Sequence, residues 1–365
     1  MILVDFAHLC NRYIFTAIAN ARPKKINGKA VTDEFSGLFV HGVITNLLHL
    51  SKNYSSEYGD LVLALEGKSW RKDVYPEYKA HRVKKRTESE VNWDEMYVVI
   101  NDLSDALRDQ FAIKAIKVDR AEGDDVIAAL VRNSSEKSLI VSSDKDFKQL
   151  CIHKHIDLYD PMKRKMVEFG SPEEIKAELL KHIIKGDDSD NIPSVIARDK
   201  FTPEFVAYLH QNDVFVDSPE QFFKLEISQH LISEYDVFEK YASGKLKGQN
   251  KETKAIFKKS MLTEKKISEI TEALKDKSNS WLREQFKFNQ KLIDLSKIPE
   301  DIEAEILETF KDLESIEPNP LEMVNFCAKY RLMNLVKDIQ YFHIKERKTV
   351  SLGVDTNELR SYHKC

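Results

Sequence analysis

Four short apolar runs punctuate the first half of the chain: Ile2–Val4 before Asp5, Leu61–Leu65 before Glu66, Ile113–Val118 before Asp119, and Ser138–Val141 before Ser142. Their length and apolar density are those of strands buried on both faces. Between them, around Leu9–Ala19, Phe39–Leu50 and Met96–Leu107, apolar residues recur at spacings of three and four, as on one face of a helix. The alternation is a βαβ pattern and predicts an α/β fold, a parallel sheet with helices on both faces. After about residue 170 helix-start signals take over. Ser171-Pro172-Glu173-Glu174 offers an N-cap, a proline at the first helical position and a capping-box acid, and Thr202-Pro203-Glu204 and Ser218-Pro219-Glu220-Gln221 repeat much of it. The second half is therefore expected to be mainly helical. A loop is expected over 243–251, and an acidic amphipathic helix over 300–314 with Ile302, Ile306, Phe310 and Leu313 on one face. The expected division is a core at 1–186 with a basic segment at 67–92, a helical region at 187–347 and a loose tail at 348–365. No internal repeat is found.

With 365 residues, 42% hydrophobic and 32% charged, the chain can bury more than one core and is not a disordered tail. No apolar run approaches the ~20 residues of a membrane span. Asp5 stands where a signal peptide would be basic and then apolar, so a cytoplasmic protein away from membranes is expected; a monomer is expected as well. Cys10, Cys151, Cys327 and Cys365 are far apart and show no C-x-x-C spacing, which points to neither a disulfide framework nor a zinc site. The formal charge of −4 by itself argues against a simple basic nucleic-acid clamp.

The placement of acids changes that picture. Asp5, Glu66 and Asp144 each follow a strand and so project from the carboxyl edge of one parallel sheet, where open α/β sheets build their sites. Ala121-Glu122-Gly123-Asp124-Asp125 opens an apolar helix just after a strand. Asp146 sits two residues past Asp144, and Gly186-Asp187-Asp188-Ser189-Asp190-Asn191 ends the next helix. Taken singly, each has an ordinary explanation: Glu122 to Asp125 as a helix N-terminus, Ser143-x-x-Asp146 as a capping box. Taken together, Asp5, Glu66, Glu122, Asp124, Asp144, Asp146, Asp187 and Asp190 are eight like charges that repel unless they protonate or bind cations. Hard divalent ions suit an all-oxygen donor set, and eight acids exceed what one ion needs, so two Mg2+, with Mn2+ as a substitute, are expected. Such a pair, ~3.5–4 Å apart, supports phosphodiester hydrolysis without a protein nucleophile. The chain has no G-x-S-x-G. Gly67-Lys68-Ser69 is no phosphate-binding loop because Val62 stands where its first glycine belongs, and Asp187–Asn191 lacks the central glycine and closing glutamate of a calcium loop.

Residues 68–86, KSWRKDVYPEYKAHRVKKR, follow Glu66 almost directly and carry eight Lys or Arg against two acids, an excess of +6, interleaved with Trp70, Tyr75 and Tyr78. Cations with aromatics are the composition that grips single-stranded nucleic acid through phosphate charge and base stacking; the plain alternative is a solvated surface segment. Attachment to the carboxylate edge favours the first, with Lys68, Trp70, Lys72, Tyr78, Lys84, Lys85 and Arg86 as contacts. A second basic stretch, 240–266, has nine lysines against two acids and few aromatics, and reads equally as a duplex-backbone contact or a solvated surface.

The motifs ILVDF, WRKDVYPEYKAHR, AEGDDVIAAL, SSDKDFKQL and GDDSDNIP stand in the order found in the structure-specific 5′ nucleases, the family of flap endonucleases and of the 5′-nuclease domain of bacterial DNA polymerase I, and residues 1 to about 193 resemble that family. YDPMKRKMVEF and FKFNQKLIDLSKIPEDI are similar to the ribonucleases H of T-even bacteriophages, so a phage-encoded relative working in the host cytoplasm is expected. The resemblance implies a PIN-like core followed by a helical DNA-binding region, and removal of RNA primers or 5′ flaps from RNA–DNA hybrids and flapped DNA. It places Asp5, Glu66, Asp124 and Asp144 on a first magnesium and Glu122, Asp146, Asp187 and Asp190 on a second, some through water. It puts Arg71 and Lys79 on the scissile phosphate with Arg82 alongside, from an arch over the site; Asp125 belongs to the motif in a metal or structural role. It further implies a single-stranded DNA-binding protein or sliding clamp as partners; the chain begins almost at its first strand, so no N-terminal clamp-binding extension is expected.

Two departures stand out. Glu66 occupies a position where the family usually has Asp, and after Asn191 the glycine-rich hairpin that would bind duplex DNA and potassium is replaced by PSVIARDKFTPEF. The stretch 200–270 is longer than in the phage relatives. Two further readings stay open: a PIN-like ribonuclease for single-stranded RNA, and a non-catalytic junction-binding protein. Setting aside the eight site acids leaves +4 for the rest of the chain, and two divalent ions bring the whole to zero, so the acidity is largely that of the expected site.

Overall fold

In the computed structural model, residues 1–196, 201, 203–216, 221–222, 225–228, 230–231, 262–313, 317–338 and 342 are described. The chain divides into two compact units, Met1–Ala177 with the chain from Asp294 onward, and Glu178–Ile293.

The first unit is built on a six-stranded sheet. In chain order its elements are β1 (Ile2–Asp5), α1 (Phe6–Ala21), the hairpin β2 (Lys25–Ile26) and β3 (Lys29–Ala30), α2 (Ser36–Tyr58), β4 (Leu61–Ala64), α3 (Arg71–Val74), α4 (His81–Glu88), α5 (Trp93–Asp109), β5 (Lys114–Ile116), α6 (Gly123–Arg132), β6 (Ser138–Val141), β7 (Ile156–Asp160) and β8 (Lys165–Met166). The sheet order is β5-β4-β1-β6-β7-β8, parallel except for β8. The four strands expected from apolar runs all form, and β1, β4 and β6 are buried along their whole length. β7, β8 and the β2–β3 hairpin were not legible: β8, β2 and β3 are two residues each, and β7 breaks its apolar run with Asp157.

Because side chains alternate across a strand, each strand feeds two cores. On one face Ile2, Val4, Leu61, Leu63, Leu139 and Val141 pack with α1, α2, α5 and the helix Pro320–Lys329. On the other Leu3, Val62, Ala64, Ile116 and Ile140 pack with α6 and the helix Glu300–Lys311, through Ile302, Ile306 and Phe310. The acidic amphipathic helix expected over 300–314 thus buries the face its spacing predicted. It buries it in the first unit, and so do the residues of Pro320–Lys329, so the observed division differs from the expected boundary at 186.

From β1 the chain runs through β4 to β5 on one side, then returns to β6 and β7 on the other. The strand order therefore reverses between β1 and β6, and the crevice outside their carboxyl ends is where such sheets take ligands.

In the second unit, the end of α7 (Pro172–Lys185) and a turn at Gly186–Ile192 pack with the helices Glu264–Ala273 and Ser280–Ile293 around Ile184, Val195, Ile267, Ile270 and Leu282. Phe205, Leu209 and Val214, on or just after α8 (Pro203–Gln211), cluster with Phe222 and Leu231. The capping box at Ser171 is present: Glu174 N–H donates to Ser171 Oγ and Ser171 N–H to Glu174 Oε2. The helix start at Ser218, the loop 243–251, most of the lysine-rich stretch 240–266, residues 197–200 of the sequence following Asn191, and the tail 348–365 lie outside the described residues. Among the described residues no helix is long and apolar enough to cross a membrane.

Ile306, fully buried against α6 and the sheet, tests whether the late helix closes the core. Ile306→Ala is expected to lower unfolding stability by about 2–5 kcal/mol in urea titrations; a loss under about 0.5 kcal/mol, ordinary for a surface site, would show that this helix is not part of the core.

Candidate active site

Asp5 ends β1 and caps α1, with Oδ1 accepting from the His8 amide at 2.9 Å. Its Oδ2 accepts from Ser142 Oγ at 2.9 Å, and that hydroxyl in turn accepts from the Asp144 amide at 3.1 Å. Ser142, at the end of β6, thus links the acids of two neighbouring strands. Asp144 caps the 3-10 turn Lys145–Ile152 and accepts from the Asp146 amide at 2.9 Å. This replaces the capping box expected of Ser143: Ser143 Oγ donates at 2.6 Å to Asp160, a buried acid at the end of β7.

On the other side of β1, the chain leaving β4 runs as a strap along residues 116–121. Leu65 N–H donates to Ile116 O, Gly67 N–H to Ala121 O and Lys68 N–H to Asp119 O. A Cβ on Gly67 would lie 2.0 Å from Val118 O, so only glycine fits there, and the strap fixes Glu66 at the edge. Glu122 caps α6 in a box with Asp125, whose Oδ2 accepts from the Glu122 amide at 3.0 Å. Asp124 follows in the first helical turn.

These carboxylates act on one another. Burial raises the Asp5 carboxyl, the His8 and Ser142 bonds oppose it, and Asp144 adds to it. Burial raises Asp124 well above the usual range, with Asp5, Glu66 and Glu122 adding and Lys79 opposing. Glu66 is open to water on one side, yet the protein packed round its carboxyl, together with Glu122 and Asp5, pushes it up to about 7 against the pull of Lys79. Glu122 goes the other way: burial alone would raise it, but Lys79 and Arg71, with donors from Lys79 and Ser69, hold it at about 2. A set of oxygen donors whose negative charge is opposed first by burial and then by its neighbours fits a hard divalent cation.

Glu122 is the most heavily bonded of these acids. Ser69 Oγ at 2.7 Å, Arg71 NH1 at 3.1 Å and Tyr78 OH at 3.0 Å donate to Oε2, and Lys79 Nζ donates to Oε1 at 2.5 Å. Arg71, 2% exposed, also pairs with Asp125 at 2.9 Å and lies over the Trp70 ring. The base of the basic segment is therefore clamped to the start of α6. Lys79 reaches Glu122 from a left-handed backbone (φ 56°), uncommon for a residue with a side chain.

The expectations for this segment need correction in part. Trp70 and Tyr78 are 2% and 3% exposed, so neither ring is available to stack on a base: their apolar bodies anchor the segment to the core. Arg71 is enclosed by its two acids instead of facing outward. Lys68, Lys72, Arg82, Lys85 and Arg86 are exposed, the last three on α4; the Lys84 side chain lies outside the described part.

Asp5, Glu66, Glu122, Asp124, Asp144 and Asp146 all belong to the first unit; Asp187 and Asp190 belong to the second. There Gly186, at φ 72°, starts a turn in which Asp187 and Ile192 exchange backbone bonds. Asp187 is buried, with Oδ2 bonded to His182 Nε2 at 2.9 Å and Oδ1 accepting from Ser189 N–H at 2.7 Å and Oγ at 2.5 Å. Ser69, Ser142 and His182 orient site acids and were missed. Their only sequence signal is a short polar side chain placed within a few residues of an acid motif.

The family model described as 5′-3′ exonuclease, N-terminal resolvase-like domain, matches residues 1–179. Ribonuclease H of Enterobacteria phage T4 is 30% identical over 207 residues, 54% of this chain and 64% of the phage protein. The 5′-3′ exonuclease of Buchnera aphidicola (subsp. Schizaphis graminum) is 29% identical over 170 residues, 43% of this chain and 54% of that protein. The matched region is thus less than two thirds of either relative's length. Among solved structures, the T5 D15 protein co-crystallized with metal ions aligns over 86% of this chain and 98% of its own, with a TM-score of 0.48 and 15% identity.

The raised carboxyls fix a pH dependence. A carboxyl whose folded value exceeds its unfolded one stabilises the fold at low pH, and that contribution is lost as pH rises; for Glu66 the window runs from 4.5 to about 7. Glu122 contributes above 4.5 and loses its contribution only as pH falls toward about 2. Urea unfolding of chelator-treated protein is expected to show lower stability at pH 7.5 than at pH 5, with added Mg2+ restoring more at pH 7.5. Stability that rises over this interval without divalent ions would contradict the clustering.

Proposed function

We propose that this chain, whose residues 1–179 match the family model of the 5′-3′ exonuclease N-terminal, resolvase-like domain, is a divalent-metal-dependent 5′ nuclease that hydrolyses phosphodiesters of RNA–DNA hybrids and 5′-flapped DNA, removing RNA primers during phage DNA replication. The observation that carries the reading is the set of mutually repelling acids Asp5, Glu66, Asp124 and Asp144 at the strand-order reversal, beside a clamped cationic segment.

Two Mg2+ ions, when bound, supply an activated water and neutralise charge on the phosphate. Asp5, Glu66, Asp124 and Asp144 would hold one, and Glu122 and Asp146 would contribute to the other. The protein's own part is positional. Ser142 and the His8 amide orient Asp5, the Gly67 strap orients Glu66, and the α6 box orients Asp124. Lys79 and Arg82 take the scissile phosphate; Arg71 acts through Glu122 and Asp125 as a positioning residue. The exposed cations of α4 draw the phosphodiester backbone toward the acids, a steering effect that weakens with salt.

Asp144→Asn is expected to abolish cleavage of a labelled 5′ flap while leaving flap affinity within about threefold; undiminished cleavage would remove Asp144 from the site. Because the acids account for the negative charge of the chain, chelation is expected to weaken DNA binding as well as stop cleavage. Anisotropy titrations of a flapped duplex with and without Mg2+ check this, and equal affinities would contradict it.

A further inference from the structure

With Trp70 and Tyr78 buried, the rings that reach the surface beside the basic helix come from other elements. Phe15 on α1 is 49% exposed and Tyr97 on α5 is 37% exposed. Trp93, at the start of α5, joins them. Its ring meets Phe15 edge-on, with centroids 6.5 Å apart at 68°, and lies 5.9 Å from Tyr97 at 39°. From α4, Arg86 places its guanidinium 5.8 Å from the Trp93 ring centre and 5.6 Å from that of Tyr97. Phe15 also lines a groove of about 620 Å³ along α1, with His8, Asn11, Arg12, Asn20 and Met162. That groove begins beside the carboxylate edge, because the His8 amide is the group that holds Asp5.

We infer that the Phe15–Trp93–Tyr97 surface, with Arg86 and the α1 groove, stacks the bases of single-stranded nucleic acid leading to or from the carboxylates. The inference rests on the nuclease reading and adds a base-contacting site to it. Every nucleobase has a π face, so aromatic side chains beside cations bind single strands with little regard to sequence. Charge selects this occupant over an apolar protein segment: Arg82, Lys85 and Arg86 stand exposed on α4, and Arg12 sits in the groove. The surface runs on from the acids through His8, which a strand threaded to the scissile bond requires.

The test is anisotropy of two labelled oligomers of equal length and charge, oligo(dT) and its abasic counterpart, on the Asp144→Asn protein in Mg2+. Wild-type surface residues are expected to bind oligo(dT) at least tenfold tighter than the abasic strand. Phe15→Ala with Tyr97→Ala should erase most of that difference and leave abasic binding unchanged, with an unaltered thermal melt showing the fold intact. Arg82→Ala should weaken both oligomers alike. Equal affinity of the unsubstituted surface for both oligomers, or a preference that survives the double substitution, would overturn the inference and leave the rings as a contact for a protein. The readout is binding and not cleavage. Absence of flap cleavage by the native chain alongside base-dependent binding would therefore overturn the function proposed above and leave this site standing.

Discussion

Like charges held together at the open end of a parallel sheet are the constraint on which the first unit depends. The buried strands β1, β4 and β6 fix where Asp5, Glu66 and Asp144 emerge, and α6 adds Glu122 and Asp124. Strand pairing holds Asp5, the strap through Gly67 holds Glu66, and the cap of α6 holds Glu122 and Asp124. The repulsion is relieved in the two ways open to fixed carboxylates, by holding protons or by gaining cations. Burial first, with the neighbouring acids adding to it, raises Asp5, Asp124 and Glu66; at Glu122 the cations Lys79 and Arg71 outweigh burial and hold it low.

Glu122 therefore ties site and basic segment into one structure. Ser69, Arg71, Tyr78 and Lys79, spread over the approach to α4, all donate to it. Any change in the charge on Glu122 is felt where the segment is anchored. Lys79, which the resemblance assigns to the phosphate, rests on this acid and also offsets Glu66 and Asp124. Its ammonium is already where negative charge collects.

Much of this was legible in the sequence because the signals were local. A fully apolar run ended by an acid needs no tertiary knowledge: two of the four runs that predicted strands sit directly before a site acid, and the other two end within four residues of one. The Ile302, Ile306 and Phe310 stripe was equally plain. What it packs against was not, since a stripe records that a face is buried and not by which partner. That is why helices after Asp294 were expected to belong elsewhere. The interleaved aromatics misled for a related reason. Composition cannot tell a ring that stacks on a ligand from one that anchors its own segment, and Trp70 and Tyr78 do the latter. Ser142, Ser69 and His182 were invisible because their partners are set by strand register and turn geometry.

The central claim, that the sheet-edge acids form a divalent-cation site, is most directly tested by counting bound Mn2+ in the native chain and in Asp124→Asn by calorimetric titration at pH 7.5. Two ions are expected in the native chain, with at least one lost or weakened more than tenfold in Asp124→Asn. The same stoichiometry and affinity in both proteins would contradict it.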